Sequence, residues 1–264
     1  MSRPAAEARV VYQSYVDPAA QAAYIGRLQG YLDSIAGPGV RYEVIGMSPP
    51  DRELHRLTEL RCAVQAVRNA VRAAEAGAAA FLQGHFQDPA LEEIRSAVDI
   101  PVVGLGEASM QFALSLGRRL ALVTIDPYFI PYHREQVARY GLAERVVAIR
   151  AVAVPVDEWN RAFADEGTRR RVIAEFVAQA RPLVAEGVEV IIPAGGLPAL
   201  LLAGERGLTV DGAPVLNGVA AAVAMCEAAI RLHRLDGTGP SRVGTFALPS
   251  PAALAEFLGE TGTD

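Results

Sequence analysis

The feature that most constrains the fold is an alternation. Short apolar runs and longer amphipathic stretches take turns almost to the end of the chain. The apolar runs fall at residues 9–13, 42–45, 78–83, 101–105, 120–124, 146–154, 188–192 and 214–216. Helical patterns fill the gaps, at 18–35, 52–76, 89–98, 131–140, 157–186 and 218–235. Strands separated by helices build βαβ units, and such units need parallel sheet. Residues 120–123 and 190–192 are continuously apolar, as strands covered on both faces are. Asp-Pro pairs at 17–18, 88–89 and 126–127 follow strands and read as an N-cap plus the first helical residue.

The pattern also repeats. Arg9-Val10-Val11-Tyr12-Gln13-Ser14 aligns with Arg119-Leu120-Ala121-Leu122-Val123-Thr124. Gly77 through Gly84-His85 aligns with Gly187 through Ala194-Gly195. Both alignments share one offset, 110 residues (119−9 and 187−77). Duplication of an α/β unit predicts two pseudo-symmetric doubly wound domains, each on a parallel sheet, with a cleft between them. The expected division is 1–117 and 118–217, with 218–264 packing back on the first domain. Ligands bind at the carboxyl ends of parallel strands, so residues just after strands are the candidates. These include Gln13, Ser14 and Tyr15, then His85, Glu107 and Thr124, then Gly195, Gly196 and Asn217.

Composition removes several functions. All 25 basic residues are Arg, so there is no Schiff-base lysine and no Walker A lysine. A net charge of −5 without a basic stripe argues against nucleic acid. No apolar run reaches the roughly 18 residues of a membrane helix. The polar start, residues 1–9, shows no secretory signal, and two cysteines make no disulfide framework, so a cytoplasmic location is expected. No HxH, HExxH or CxxC occurs, so no metal and no other cofactor is expected.

Particular segments resemble the aspartate/glutamate racemase superfamily, in its hydantoin-racemase branch. They are Gly84-His85-Phe86-Gln87-Asp88-Pro89-Ala90-Leu91, Pro101-Val102-Val103-Gly104-Leu105-Gly106-Glu107-Ala108 and Pro214-Val215-Leu216-Asn217-Gly218. The similarity runs from about residue 9 to about residue 235. It implies carbon-acid chemistry between two cysteines, one from each half, and often a homo-oligomer. This chain departs from that pattern: His85 and Gly195 hold the two cysteine positions. Cys62 and Cys226 fall mid-helix, where a small core residue is expected.

The expected chemistry is proton transfer through His85, next to a carbonyl of a small carboxylate or hydantoin-like compound. Ser14 and Thr124, equivalent under the repeat, are expected to bind substrate, along with Gln13, Tyr15 and Asn217. Backbone amides at Gly195 and Gly196 would take up enolate charge. Glu107 is read either as a partner or second acid/base for His85, or as a first-turn carboxylate. Asp88 is expected as an N-cap. His55, His133 and His233 read as surface residues. Tyr15, Phe86, Tyr128 and Tyr132 are candidates for a pocket wall or for core. Isomerisation, racemisation, decarboxylation or another lyase reaction, and hydrolysis by His85-activated water all fit, as does a non-catalytic binder. A dinucleotide site is a further reading, since Gly104-Leu105-Gly106-Glu107-Ala108-Ser109 follows a strand and Asp126 lies about 20 residues on.

Overall fold

The computed structural model describes residues 7–51 and 55–259. The first half runs β1 (Ala8–Gln13), α1 (Ala22–Ile35), β2 (Val40–Ile45), α2 (Arg56–Glu75), β3 (Ala80–Gln83), α3 (Leu91–Ala97), β4 (Val102–Gly104) and α4 (Leu105–Ala113). Its strands pair in parallel in the order β2-β1-β3-β4. The second half runs β5 (Leu120–Thr124), α5 (Phe129–Arg139), β6 (Val146–Ala151), α6 (Val156–Arg161), α7 (Glu166–Ala185), β7 (Val190–Ala194) and α8 (Gly196–Ala203). Its strands are also parallel, in the order β6-β5-β7. A small hairpin follows, β8 (Thr209–Val210) with β9 (Ala213–Pro214), then α9 (Gly218–Asp236) and α10 (Pro251–Leu258). The expected start of the second helix, residues 52–54, lies outside the described residues.

The repeat is present in three dimensions and in register. Val10 pairs with Ala80 in the first sheet, and Leu120 pairs with Val190 in the second. Both partners shift by 110 residues (120−10 and 190−80). The fourth strand differs between the halves. Beside β7 the run at 214–216 is only a parallel bridge, Ile191 to Val215, with the Leu216 N–H donating to the Ile191 carbonyl at 2.8 Å. Pro214 has no N–H and sits in the β8–β9 hairpin, which truncates the pairing.

Alternation along β1 sends its side chains into two cores. Val10 and Tyr12 join a cluster that continues into β5, β7 and the helices of the second half. Val11 turns the other way and joins Phe81, Val102 and the inner faces of α2 and α3. Each fully buried Leu or Ile in these layers stabilises by roughly 1.5–3 kcal/mol relative to exposure. The helix α9 returns from the second half to pack on α4, α1, β3 and β4, burying Val219, Val223 and Cys226. The helix α10 lies over α2, where Arg68 donates to the Phe257 carbonyl. Among the described residues no helix is long and apolar enough to cross a membrane.

Local expectations need correction in three places. The pattern at 157–186 is two helices, because Asp165 breaks it and caps α7 by accepting from the Thr168 N–H at 2.7 Å. The carboxylates of Asp17 and Asp126 accept from backbone N–H groups two or three residues on, shaping the turns ahead of α1 and α5 rather than capping them. Asp88 does not cap its own helix. It and Ala90 both have positive φ, and its carboxylate is turned onto the head of α4.

Candidate active site

A cavity of about 130 Å³ opens at the carboxyl ends of β1, β3 and β7. Ser14, Tyr15 and His85 line it from the first half, and Gly195 and Gly196 from the second. The sequence therefore places five of its candidates together.

His85 stands two residues past the end of β3. The intervening Gly84 has no room for a side chain, since a Cβ there would lie 2.1 Å from the Tyr12 ring. The imidazole stacks on Tyr15, with centroids 4.5 Å apart and planes 11° from parallel. Its Nε2 is 3.9 Å from a Glu59 carboxylate oxygen, and its side chain keeps 20% exposure toward the cleft. Burial lowers its pKa to about 4, with Asp51 opposing and His133 reinforcing the shift. At neutral pH it is therefore an unprotonated base. Glu59, on α2, rises to about 7, because it is largely buried and Asp51 adds a like charge. Asp51 also lines the cavity and accepts from the Thr58 hydroxyl at 2.6 Å.

The opposite wall is built from backbone and a phenol. Gly195 has φ +154 and ψ 153, a conformation essentially reserved for glycine. A Cβ on it would lie 3.0 Å from Pro198 Cδ. Next to it, a Cβ on Gly196 would lie 3.1 Å from the Tyr24 hydroxyl. Burial pushes that phenol up to about 12, and a hydrogen bond with Ser14 pulls it partly back. The turn opens directly into α8, so its first N–H groups face the cavity end of the helix.

Behind the cavity a buried polar network joins the halves. Gln136 Nε2 donates to the Phe86 carbonyl at 2.5 Å and to Asp88 at 3.2 Å. Its oxygen therefore faces His133 Nδ1, at 3.2 Å, which must donate. That leaves His133 Nε2 to accept from the Thr124 hydroxyl at 3.1 Å. His133 is thus a core residue, not a surface one, and burial brings it to about 4. Thr124 is fully buried and its hydroxyl is engaged, so it stands behind the cavity and not in it. Asp88 accepts from four donors: the N–H groups of Gly106 and Glu107, Gln136, and the Tyr140 hydroxyl at 2.7 Å. Burial lifts its carboxyl to about 7 against those donors.

That carboxylate fills the place where a dinucleotide phosphate would sit, at the head of α4. Gly106 is needed for the protein itself, since a Cβ there would lie 2.0 Å from the Phe86 carbonyl. The glycine-rich segment is an internal contact, which corrects the dinucleotide reading.

The other candidates fall elsewhere. Glu107 forms an ion pair with Arg95 and lines a separate cavity of about 410 Å³ with Arg139 and Tyr140, away from His85. Gln13 donates to the carbonyls of Ser14 and Gly46, accepts from Asn69, and so fixes the backbone behind the cavity. Asn217 caps α9 by accepting from the Ala220 N–H at 3.0 Å. Tyr132 is buried and Tyr128 is exposed, and neither lines the cavity, whereas Phe86 is core. His55 caps α2, as exposed as expected. Burial raises the thiols of Cys62 and Cys226 to about 11 and about 12, and neither lines the cavity. Among the described residues no cluster of three or more metal-ligating side chains occurs.

Sequence reasoning missed Tyr24, Glu59, Asp51, Gln21 and Asn160. Tyr24, Asp51, Gln21 and Asn160 line the cavity, and Glu59 backs His85. Tyr24 and Glu59 lie within helices and carry no strand-end signal.

Comparison with known proteins gives a consistent picture. The family model described as Asp/Glu/Hydantoin racemase matches residues 15–226. A hydantoin racemase of Rhizobium meliloti is 30% identical over 187 residues, covering 70% of this chain and 73% of that protein. A hydantoin racemase of Pseudomonas sp. (strain NS671) is 29% identical over 182 residues, covering 66% of each. The solved allantoin racemase from Klebsiella pneumoniae superposes with a TM-score of 0.76 at 26% identity, over 92% of this chain and 94% of that one.

Proposed function

The chain belongs to the Asp/Glu/hydantoin racemase family, and from that premise we propose that it moves a proton at the carbon beside a carbonyl of a small, neutral cyclic amide of the hydantoin or allantoin kind. The observation that carries this reading is His85. It is a neutral imidazole, open at the end of β3 to the cavity that it lines together with the side-chain-free turn at Gly195. Among the described residues that line the cavity none is a cation, and Asp51 is an acid. A free carboxylate would find no cation there, whereas a neutral ring needs none.

His85 takes the C–H proton, and the bond electrons pass into the neighbouring carbonyl as an enolate. The N–H groups at the head of α8 receive that charge, helped by the helix dipole. The imidazolium that forms gains Glu59 as its counter-ion, 3.9 Å away. Racemisation needs a second proton from the other side. Tyr24, whose hydroxyl reaches the Gly195–Gly196 turn, supplies it and becomes a phenolate. A proton passing from His85 back to Tyr24, through solvent, restores both groups.

Proton NMR in D₂O tests the scheme, with 5-substituted hydantoins and allantoin. The wild type is expected to exchange the ring C–H and to erase optical rotation. His85→Ala is expected to slow exchange by about 10²- to 10⁴-fold. Tyr24→Phe is expected to keep exchange and to lose racemisation. A wild type that exchanges none of these compounds overturns the proposal.

A further inference from the structure

Apart from Glu158 Oε2, which pairs with Arg171, five buried side-chain polar atoms among the described residues lack a hydrogen-bond partner, and two of them, Gln21 Oε1 and Asn160 Oδ1, belong to residues that line the active-site cavity. A buried amide oxygen without a partner is costly, so such atoms are rare and call for a specific occupant. These two come from different halves. Gln21 precedes α1 in the first, and Asn160 lies on α6 in the second. Among the described residues, the side-chain amides that line the cavity are these two and Gln87. A primary amide offers one acceptor and two donors, whichever way it is rotated. Its complement is another amide edge, with an N–H beside a C=O.

We propose that Gln21 and Asn160 are the specificity-determining residues of this site, each reading an N–H/C=O edge of a cyclic ureide or imide ring from opposite halves of the molecule. This rests on the function proposed above and names which residues recognise the ring. It explains how a neutral ring is selected without a cation. A carboxylate brings acceptors only, and leaves both amide oxygens unpaired.

The test is calorimetric titration of the full chain with 5-methylhydantoin and with its N1-methyl and N3-methyl derivatives, on wild type, Gln21→Ala and Asn160→Ala. The wild type is expected to bind the parent ring about 5- to 100-fold more tightly than at least one methylated ring. Each variant is expected to lose affinity for the parent by a similar factor, and to leave one methylated ring unchanged. A variant that weakens parent and methylated rings equally overturns the assignment. So does one that only tightens the methylated rings, because that reports space and not hydrogen bonding. Thermal unfolding of both variants near the wild-type temperature excludes misfolding as the cause. Discrimination without C–H exchange in D₂O sinks the catalytic reading and keeps this one. Exchange with undisturbed discrimination in both variants does the reverse. No binding of any hydantoin by wild type overturns both.

Discussion

At neutral pH His85 is free of a proton because burial holds its imidazole down to about 4. Exchange catalysed through it is expected to fall in two steps as pH drops, through about 7 as Glu59 takes up a proton and ceases to be a counter-ion, and again through about 4 as His85 does, measured as kcat/KM against pH. Stability follows the same groups. His85 and His133 both have folded pKa values below the ordinary 6.5, so their contribution is complete above 6.5 and is lost as pH falls through about 4. Glu59 has the opposite sign. Its pKa rises from 4.5 to about 7, so its contribution is present below 4.5 and lost as pH rises through about 7. Glu59→Gln is therefore expected to be at least as stable as wild type at pH 8, in thermal melts, while catalysis slows. Gly195→Cys places a side chain where φ is +154 and Pro198 is 3.0 Å away. It is expected to cost about 1–3 kcal/mol in urea unfolding and to restore no thiol chemistry. His85 was legible in the sequence because it ends a strand. Glu59 was not, because nothing local distinguishes it from Glu75, the other glutamate of α2, which meets water.

The element that sets the loop carrying His85 is α5, which reaches across from the second half. Gln136 holds the carbonyl of Phe86, the next residue after His85, while Tyr140 and Arg139 hold Asp88 and the Gln87 carbonyl. Gln136→Leu leaves two buried groups unpaired, the Phe86 carbonyl and His133 Nδ1, and takes one of its four donors from Asp88. It is expected to destabilise by about 3 kcal/mol or more in chemical denaturation, and to slow exchange although it touches no substrate. The sequence showed the elements well wherever apolar periodicity was strong, as in β5, whose ends match the expected 120–124. It left two readings of the head of α4. A run of glycines before a helix signals that backbone must come close to something, but the pattern cannot say whether that is a bound phosphate or, as here, the protein's own Asp88. The expected single helix at 157–186 failed for a similar reason, since one capping carboxylate outweighs a continuous amphipathic pattern.

On the scale of the molecule, the duplication was readable because strands buried on both faces preserve their apolar character and spacing. The hairpin β8–β9 was not, because strands of two residues are too short to show a period. The return of α9 to the first sheet makes a prediction. Residues 7–117 expressed alone lack the cover on α4, β3 and β4, and are expected to be unfolded by circular dichroism. Joining them to 218–259 through a short flexible linker is expected to recover helical signal and a cooperative melt. The strand registers of the two halves coincide, yet the halves face the cavity with unlike groups: an imidazole from one, a bare glycine turn from the other. Mirror forms of a substrate with a single stereocentre have an equilibrium constant of one, so both directions must share the same kcat/KM. The inequality of the two walls can then surface only in kcat and KM taken separately. One enantiomer is expected to saturate the protein at a lower concentration than its reflection, and to turn over more slowly in proportion.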